Sequence, residues 1–366
     1  MRPGARQTLL AALDQGYADP SRRYHAARQS RRLLDGARES IAAIIGARPD
    51  EVSFATSGTQ AVHLAVTGLA QGRQRIGRRL LVSAVEHSCV IHAARAVPEG
   101  KVEELPVDSR AVVEPERVRA AIARGEVALL AIQSANHEVG SRQPISEIAH
   151  ILDNSGIPLI VDAAQSLGRD DCPAQWSILT ASAHKWGGPT GVGILAIRNG
   201  TRWRSPLPDD PHESGRIPGF TAIPQIVAAA VALQEAEDER RTESARLFAL
   251  TERLRTELPV RIPDALVLGH GIERLPHIVT LSMAYVAGEA LLEDLDREGF
   301  AVSSGSSCVA DALVPSHVLV AMGALTHGNL RISLPPGALE SDVDRFIHVL
   351  PSIVAKVRDS LGAGDL

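Results

Sequence analysis

Six short apolar runs punctuate the first part of the chain: "EVSFA", "RRLLVSAV", "EVALLAIQSA", "IPLIVDAA", "WSILTASA" and "GVGILAIR". They are apolar at nearly every position rather than at every second one, as expected of strands covered on both faces. Between them, "TQAVHLAVTGLA" and "PISEIAHILDNSG" space their apolar residues at helical intervals. Further upstream, "LLDGARESIAAIIGA" places Leu34, Ala37, Ile41, Ile44 and Ile45 on one helical face. Alternation of strand and helix predicts an α/β fold, with a mostly parallel sheet between two helical layers.

The pattern changes after "RNGTRWRSPLPDDPHESGRIPGFTAIP", a stretch rich in proline and glycine. A long charged helical pattern follows, from about Pro224 to Leu258. Beyond it "HIVTLSMAYV" and "LRISL" read as strands, and "GEALLEDLDREG" and "SDVDRFIHVLPSIVAKVR" as helices. At 366 residues the chain has room for a large domain and a smaller one. We place them at residues 1–243 and 244–366, the second a C-terminal α/β domain.

The net charge of −5 is mild and predicts neither a nucleic-acid nor an acidic-lipid partner. The basic stretch "SRRYHAARQSRR" reads as a solvated helix face. No apolar run approaches the roughly 18 residues of a membrane span. "MRPGARQTLLAALDQ" has no signal-peptide core. Cys89, Cys172 and Cys308 are odd in number and scattered, which suggests a reducing compartment and a cytoplasmic location. The His-Glu pairs at His137 and His212 lack the second histidine of a zinc motif, so no metal is expected.

Only three lysines occur, Lys101, Lys185 and Lys356, among 38 basic residues. One sits in "SAHKWGGPTGVG". A lysine amine condenses with an aldehyde to form an imine, and a guanidinium does not. Taken alone, the stretch fits a surface lysine in a turn equally well. Other stretches ask for the same ligand. "FATSGTQAVHLAV" is a strand, a small-residue turn and a helix start, which can bind an anion or merely cap the helix. "PLIVDAAQSLG" puts Asp162 at a strand end, with Gln165 just beyond. The carboxylate there can hold a pyridinium protonated, or cap a helix. His87 in "AVEHSCV" can stack on a ring or move protons. Together these groups describe pyridoxal phosphate. In "VSSGSSCVAD" four serines and a glycine precede Cys308, a setting unlike that of a structural cysteine. Arg331 in "GNLRISL" can grip a carboxylate through two hydrogen bonds or serve as a salt bridge.

The chain resembles the fold-type I, class V pyridoxal-phosphate enzymes, and within them the NifS/IscS-like cysteine desulfurases. The resemblance runs in order from about residue 20 through the phosphate turn, "VEHSCV", "ANHEVG", "VDAAQSLG", "SAHKWGGPTGVG", "SSGSSCVAD", "VPSHVLVAMG" and "LRISL". It implies a fold-type I large domain with a mostly parallel seven-stranded sheet. It makes Lys185 the imine lysine and proton carrier, His87 the ring-stacking acid/base, Asp162 the pyridinium partner, and Gln165 the ligand of the phenolic oxygen. It makes Gly58, Thr59, Ser182 and His184 the phosphate cradle. Asn136 and Arg331 become the substrate-carboxylate groups, Asn136 also facing the cofactor, and Cys308 the nucleophile. The implied reaction converts L-cysteine to L-alanine, leaving a persulfide on Cys308 for an acceptor protein or small thiol, in a homodimer. "SGSSC" and its long loop resemble the IscS/NifS branch rather than SufS.

The departures fall on stretches that the resemblance assigns to the substrate entrance and the dimer contact. The family's opening Tyr-Leu-Asp-x-Ala-Ala-Thr-Thr-Pro segment is expected to be absent or lost to a late start. Its Gly-Gly-Gly-Gln/His-Glu stretch is here "DDPHESG", and Arg-x-Gly-Thr is "IPGFT", in which Thr221 can still reach the neighbouring subunit's phosphate. The second asparagine of Asn-Asn-Glu is His137. Two rival readings remain: a related C–S lyase or selenocysteine lyase, and a non-catalytic member that binds a partner. "GPTGVG" makes a poor nicotinamide fingerprint, because no GxGxxG turn follows a first strand.

Overall fold

The computed structural model describes residues 1–15, 17–304 and 315–362. In chain order the elements are α1 (Pro3–Asp14), α2 (His25–Ile44), β1 (Val52–Ala55), α3 (Gly58–Arg73), β2 (Arg79–Ser83), α4 (Ser88–Arg95), β3 (Lys101–Leu105), α5 (Pro115–Ala123), β4 (Val127–Gln133), α6 (Ile145–Leu152), β5 (Leu159–Asp162), β6 (Ile178–Ser182) and β7 (Gly193–Ile197). They continue with α7 (Ile223–Arg261), β8 (Ala265–Leu268), β9 (Ile278–Met283), α8 (Gly288–Arg297), α9 (His317–Met322), β10 (Asn329–Ser333) and α10 (Glu340–Ser360).

Two compact units result. The large unit comprises Met1–Leu105, Glu114–Ser134 and Gln143–Arg240; the small unit comprises Pro106–Val113, Ala135–Arg142 and Arg241–Leu366. Two short stretches from the first part of the chain therefore belong to the small unit.

The large unit carries a seven-stranded sheet in the order β1-β7-β6-β5-β4-β2-β3. Every neighbouring pair is parallel except those of β7, which runs antiparallel to both β1 and β6. The expected mostly parallel seven-stranded sheet is thus present. β4 is buried at all of its positions, which explains its unbroken apolar sequence. Val62, Leu69, Val90, Leu80, Val82, Leu129 and Ile160 join in one core. Each such side chain contributes about 1.5–3 kcal/mol on burial.

β3 departs from the apolar pattern and was not among the runs read above. It is the sheet's outer strand, half-exposed, and its charges are paired: Glu103 with Arg79 at 2.5 Å and Glu104 with Arg95 at 2.6 Å. A charged edge strand resists pairing with other chains, at the cost of an apolar signature.

The small unit holds the antiparallel sheet β10-β9-β8. Leu254, Leu281, Leu330, Phe346 and Leu350 form its core. The long helical pattern is realised as α7, and the unit boundary at Arg240–Arg241 falls inside it. Among the described residues no helix is long and apolar enough to cross a membrane, and no group of three ligating side chains could hold a metal ion.

Candidate active site

The parallel strands end on one side of the sheet, where α/β folds place their ligands. β7 enters from that side. Its first residue, Gly193, pairs with both Ala55, the last of β1, and Ser182, the last of β6. This brings the turn before α3 and the turn bearing Lys185 to one edge. A side chain at Gly193 would overlap the Ser57 carbonyl, and one at Gly58 would lie 2.8 Å from the Ser182 Cβ. Glycine is required at both positions by close approach alone.

Ser57 caps α3 by accepting the Gln60 N–H at 3.1 Å. The N–H groups of Gly58 and Thr59 belong to the first helical turn, which has no intrahelical acceptors for them. Thr59 is exposed. Ser182 and His184 lie across the edge, with Ser182 Oγ 3.0 Å from His184 Nδ1. Desolvation, and then the Lys185 charge, lower the His184 pKa from its ordinary value. Lys185 follows in the 3-10 turn Ala183–Trp186, half-buried.

Asp162 ends β5. Its Oδ1 accepts the Ala164 N–H at 3.0 Å and the Thr180 hydroxyl at 3.3 Å. Burial pushes its pKa up to about 6, against the pull of those bonds and of the Lys185 charge. Glu86 lies deeper. It accepts the Gln133 N–H at 2.8 Å, and burial, with a further push from Asp162, raises it well above the carboxylate range. Gln165 lies half-buried in the turn after β5.

His87 caps α4 with its ring: Nδ1 takes the Cys89 N–H at 3.2 Å. An amide N–H can only donate, so Nδ1 accepts, and in the neutral ring the proton sits on Nε2. Cys89 Sγ lies 3.0 Å from the same nitrogen. Burial, then Asp162 and Glu86, push this thiol up, so it stays protonated and also donates. Cys89 was not singled out in the sequence, where it reads as an ordinary apolar helix residue.

Thr221 is half-buried just before α7, its carbonyl accepting the Ile223 N–H at 2.9 Å. "DDPHESG" is tied to β1: Glu213 grips Arg38 through two bonds of 2.8 and 2.9 Å and accepts the Phe54 N–H at 2.8 Å. Glu213 and Ser214 both take positive φ, 47° and 58°. A non-glycine pair holds that geometry only when its surroundings fix it.

The remaining candidates belong to the small unit. Asn136 opens the Ala135–Arg142 turn, and its Oδ1 accepts the N–H groups of Glu138 and Val139, both at 2.9 Å. Arg331, in the middle of β10, donates to the His137 carbonyl at 3.2 Å. Glu138 is buried, accepts the Ser316 hydroxyl at 2.7 Å and, through its carbonyl, that of Thr280 at 2.6 Å. Burial raises its pKa, with Ser316, His317 and Arg331 opposing. Ser316 in turn caps α9. Glu138 and Ser316 were quoted in motifs above without a role. Cys308 lies outside the described residues.

The large unit thus groups Lys185, His87, Asp162, Gly58, Thr59, Ser182 and His184, and the small unit groups Asn136 with Arg331. Residues 6–346 match the family model described as Aminotransferase class-V. The chain belongs to that family. A cysteine desulfurase IscS from Methanosarcina thermophila is 34% identical over 362 residues, covering 96% of this chain and 89% of that protein. A solved NifS-like protein superposes with a TM-score of 0.90 at 26% identity, covering 97% of this chain and 96% of that one. A second solved structure, SspA in complex with cysteine, gives 0.79 at 26% identity over 93% and 97% of the two chains. The resemblance to NifS/IscS-like enzymes and the fold class it implied are both borne out.

Proposed function

We infer that the chain is a pyridoxal-phosphate-dependent cysteine desulfurase that converts L-cysteine to L-alanine and leaves the sulfur as a persulfide on Cys308. The observation that supports this reading is the shared sheet edge at Gly193, which brings the turn before α3 beside the lysine turn. The donor set suits the cofactor. The first turn of α3, Ser182 and His184 offer N–H and hydroxyl groups to a phosphate. Asp162, desolvated and held near 6, gains from a cationic ring nitrogen. Lys185 supplies the amine. When bound, pyridoxal phosphate draws electrons from the substrate α-carbon and so makes its proton removable.

The chain's own residues do the rest. Lys185 takes and returns the α-proton. His87, fixed with its proton on Nε2, presents a donor while its Nδ1 is held by Cys89. Arg331 and the Asn136 amide bind the substrate carboxylate. Cys308, as a thiolate, attacks the substrate sulfur. An S–S bond forms, the C–S bond breaks, and its electron pair stays on the carbon that becomes the alanine methyl group after protonation. The persulfide then passes to an acceptor protein or small thiol. We further propose a homodimer, in which Thr221 reaches the neighbouring subunit, and a cytoplasmic location.

The test is incubation of the purified protein with L-cysteine, following alanine and Cys308-bound sulfur together. Equal first-turnover yields of the two are expected, and Cys308→Ala should abolish both. Undiminished sulfide release by Cys308→Ala would replace the persulfide route with a C–S lyase.

A further inference from the structure

We propose that Arg2 and Arg169 are positioning residues for Lys185, gripping the backbone of the turn that presents it. This rests on the role given to Lys185 above.

The 3-10 turn Ala183–Trp186 uses its own first carbonyls: Ala183 O accepts the Gly188 N–H at 2.9 Å and His184 O the Gly187 N–H at 3.4 Å. The next three carbonyls point out of the turn, as helix ends require. All three are taken by arginines. The Arg169 guanidinium donates to Lys185 O at 2.9 Å. Arg2 Nε donates to Trp186 O at 3.2 Å. The backbone N–H of Arg2 donates to Gly187 O at 2.8 Å. Cations are favoured at such carbonyl ends, and a guanidinium does not lose its charge at any working pH.

Independent features fit this grip. Gly187 has φ 90°, and a Cβ there would lie 2.8 Å from Cγ of Arg2, so the arginine stem crosses a position only glycine can occupy. Arg2 is held from its other side by Glu239 of α7 at 2.7 Å. Trp186 is buried and donates to Ala229 O at 3.1 Å, which stops the turn from rotating. Arg169 follows Gly168 (φ 75°), seven positions after Asp162, so one segment supplies both the buried carboxylate and one of the grips. A lysine amine stands at the end of four flexible carbons. Its position is set by where the backbone starts, and a displacement of about 1 Å at a reacting group can cost 10²-fold in rate.

The test compares Arg169→Met and Arg2→Met with Arg169→Lys and Arg2→Lys. Amide hydrogen exchange is measured by mass spectrometry with steady-state kinetics on L-cysteine. The Met variants should exchange faster at residues 183–188 and not elsewhere. Their kcat should fall about tenfold, with KM within about twofold. The Lys variants, which keep one donor, should recover part of the loss. Unchanged exchange at 183–188 in both Met variants overturns the proposal. So does a rise throughout the chain, with kcat falling only in proportion to the folded fraction. A wild-type protein that makes no alanine would instead overturn the desulfurase reading, and the exchange measurement still decides the grip.

Discussion

In the large unit the functional side chains stand at the ends of strands; in the small unit Asn136, Glu138 and Arg331 are joined through a hydrogen-bonded turn and the middle of a strand. The first arrangement borrows its precision from a buried sheet in which β4–β5 and β6–β7 each keep one register throughout. The second relies on individual bonds among residues far apart in sequence, such as Glu138 to Ser316. Stiffness in the one case comes from packing, and in the other from buried polar groups that must each stay satisfied. Loss of a contact should therefore be felt as altered chemistry in the large unit and as lost local order in the small one.

The sharpest break is expected at Lys185→Ala, which should lower alanine formation by at least about 10³-fold while leaving the melting temperature close to wild type. Arg331→Ala should be next. We expect kcat/KM for L-cysteine to fall about 10²-fold, mostly through KM, because a two-point carboxylate grip is lost. Glu138→Ala removes the acceptor of a buried hydroxyl and should cost about 1–3 kcal/mol in chemical denaturation, and Glu138→Gln clearly less. An equal loss of stability from Lys185→Ala and Glu138→Ala would erase the contrast between the two units.

A pH experiment sharpens it further. Asp162 is raised from 3.8 to about 6 in the folded, cofactor-free protein. The unfolded chain ionises first, so the contribution of Asp162 to stability is full below about pH 4 and is lost as pH rises through about 6. Glu86 acts in the same direction. Thermal melting of cofactor-free Asp162→Asn from pH 4 to 7 should show a shallower decline than wild type. The smallest effect belongs to Cys89→Ala, which leaves the N–H cap on His87 in place. It should cost about 1 kcal/mol of stability and change kcat by only a few-fold.

Legibility followed the same division. β4, β5 and β6 announce themselves because strands covered on both faces must be apolar throughout. β3 could not, since an exposed edge is written in charges. Lys185 stands out by its scarcity in an arginine-rich chain, and Asp162 by closing an apolar run. Arg2, Arg169, Glu138 and Ser316 carry no such mark. Their roles consist of a few hydrogen bonds across as many as 237 positions, and nothing in local composition encodes a partner that distant.

β7 has one more consequence, for the order of synthesis. Among the described residues β1 pairs only with β7, and Phe54 meets Ile194, 140 positions further on. At ribosomal speeds of about 5–20 residues per second, the first strand waits roughly 7–30 s for its neighbour. Until then the turn before α3 lacks the strand that packs against it. A nascent chain stalled before residue 193 should take up no vitamin, however complete its earlier strands.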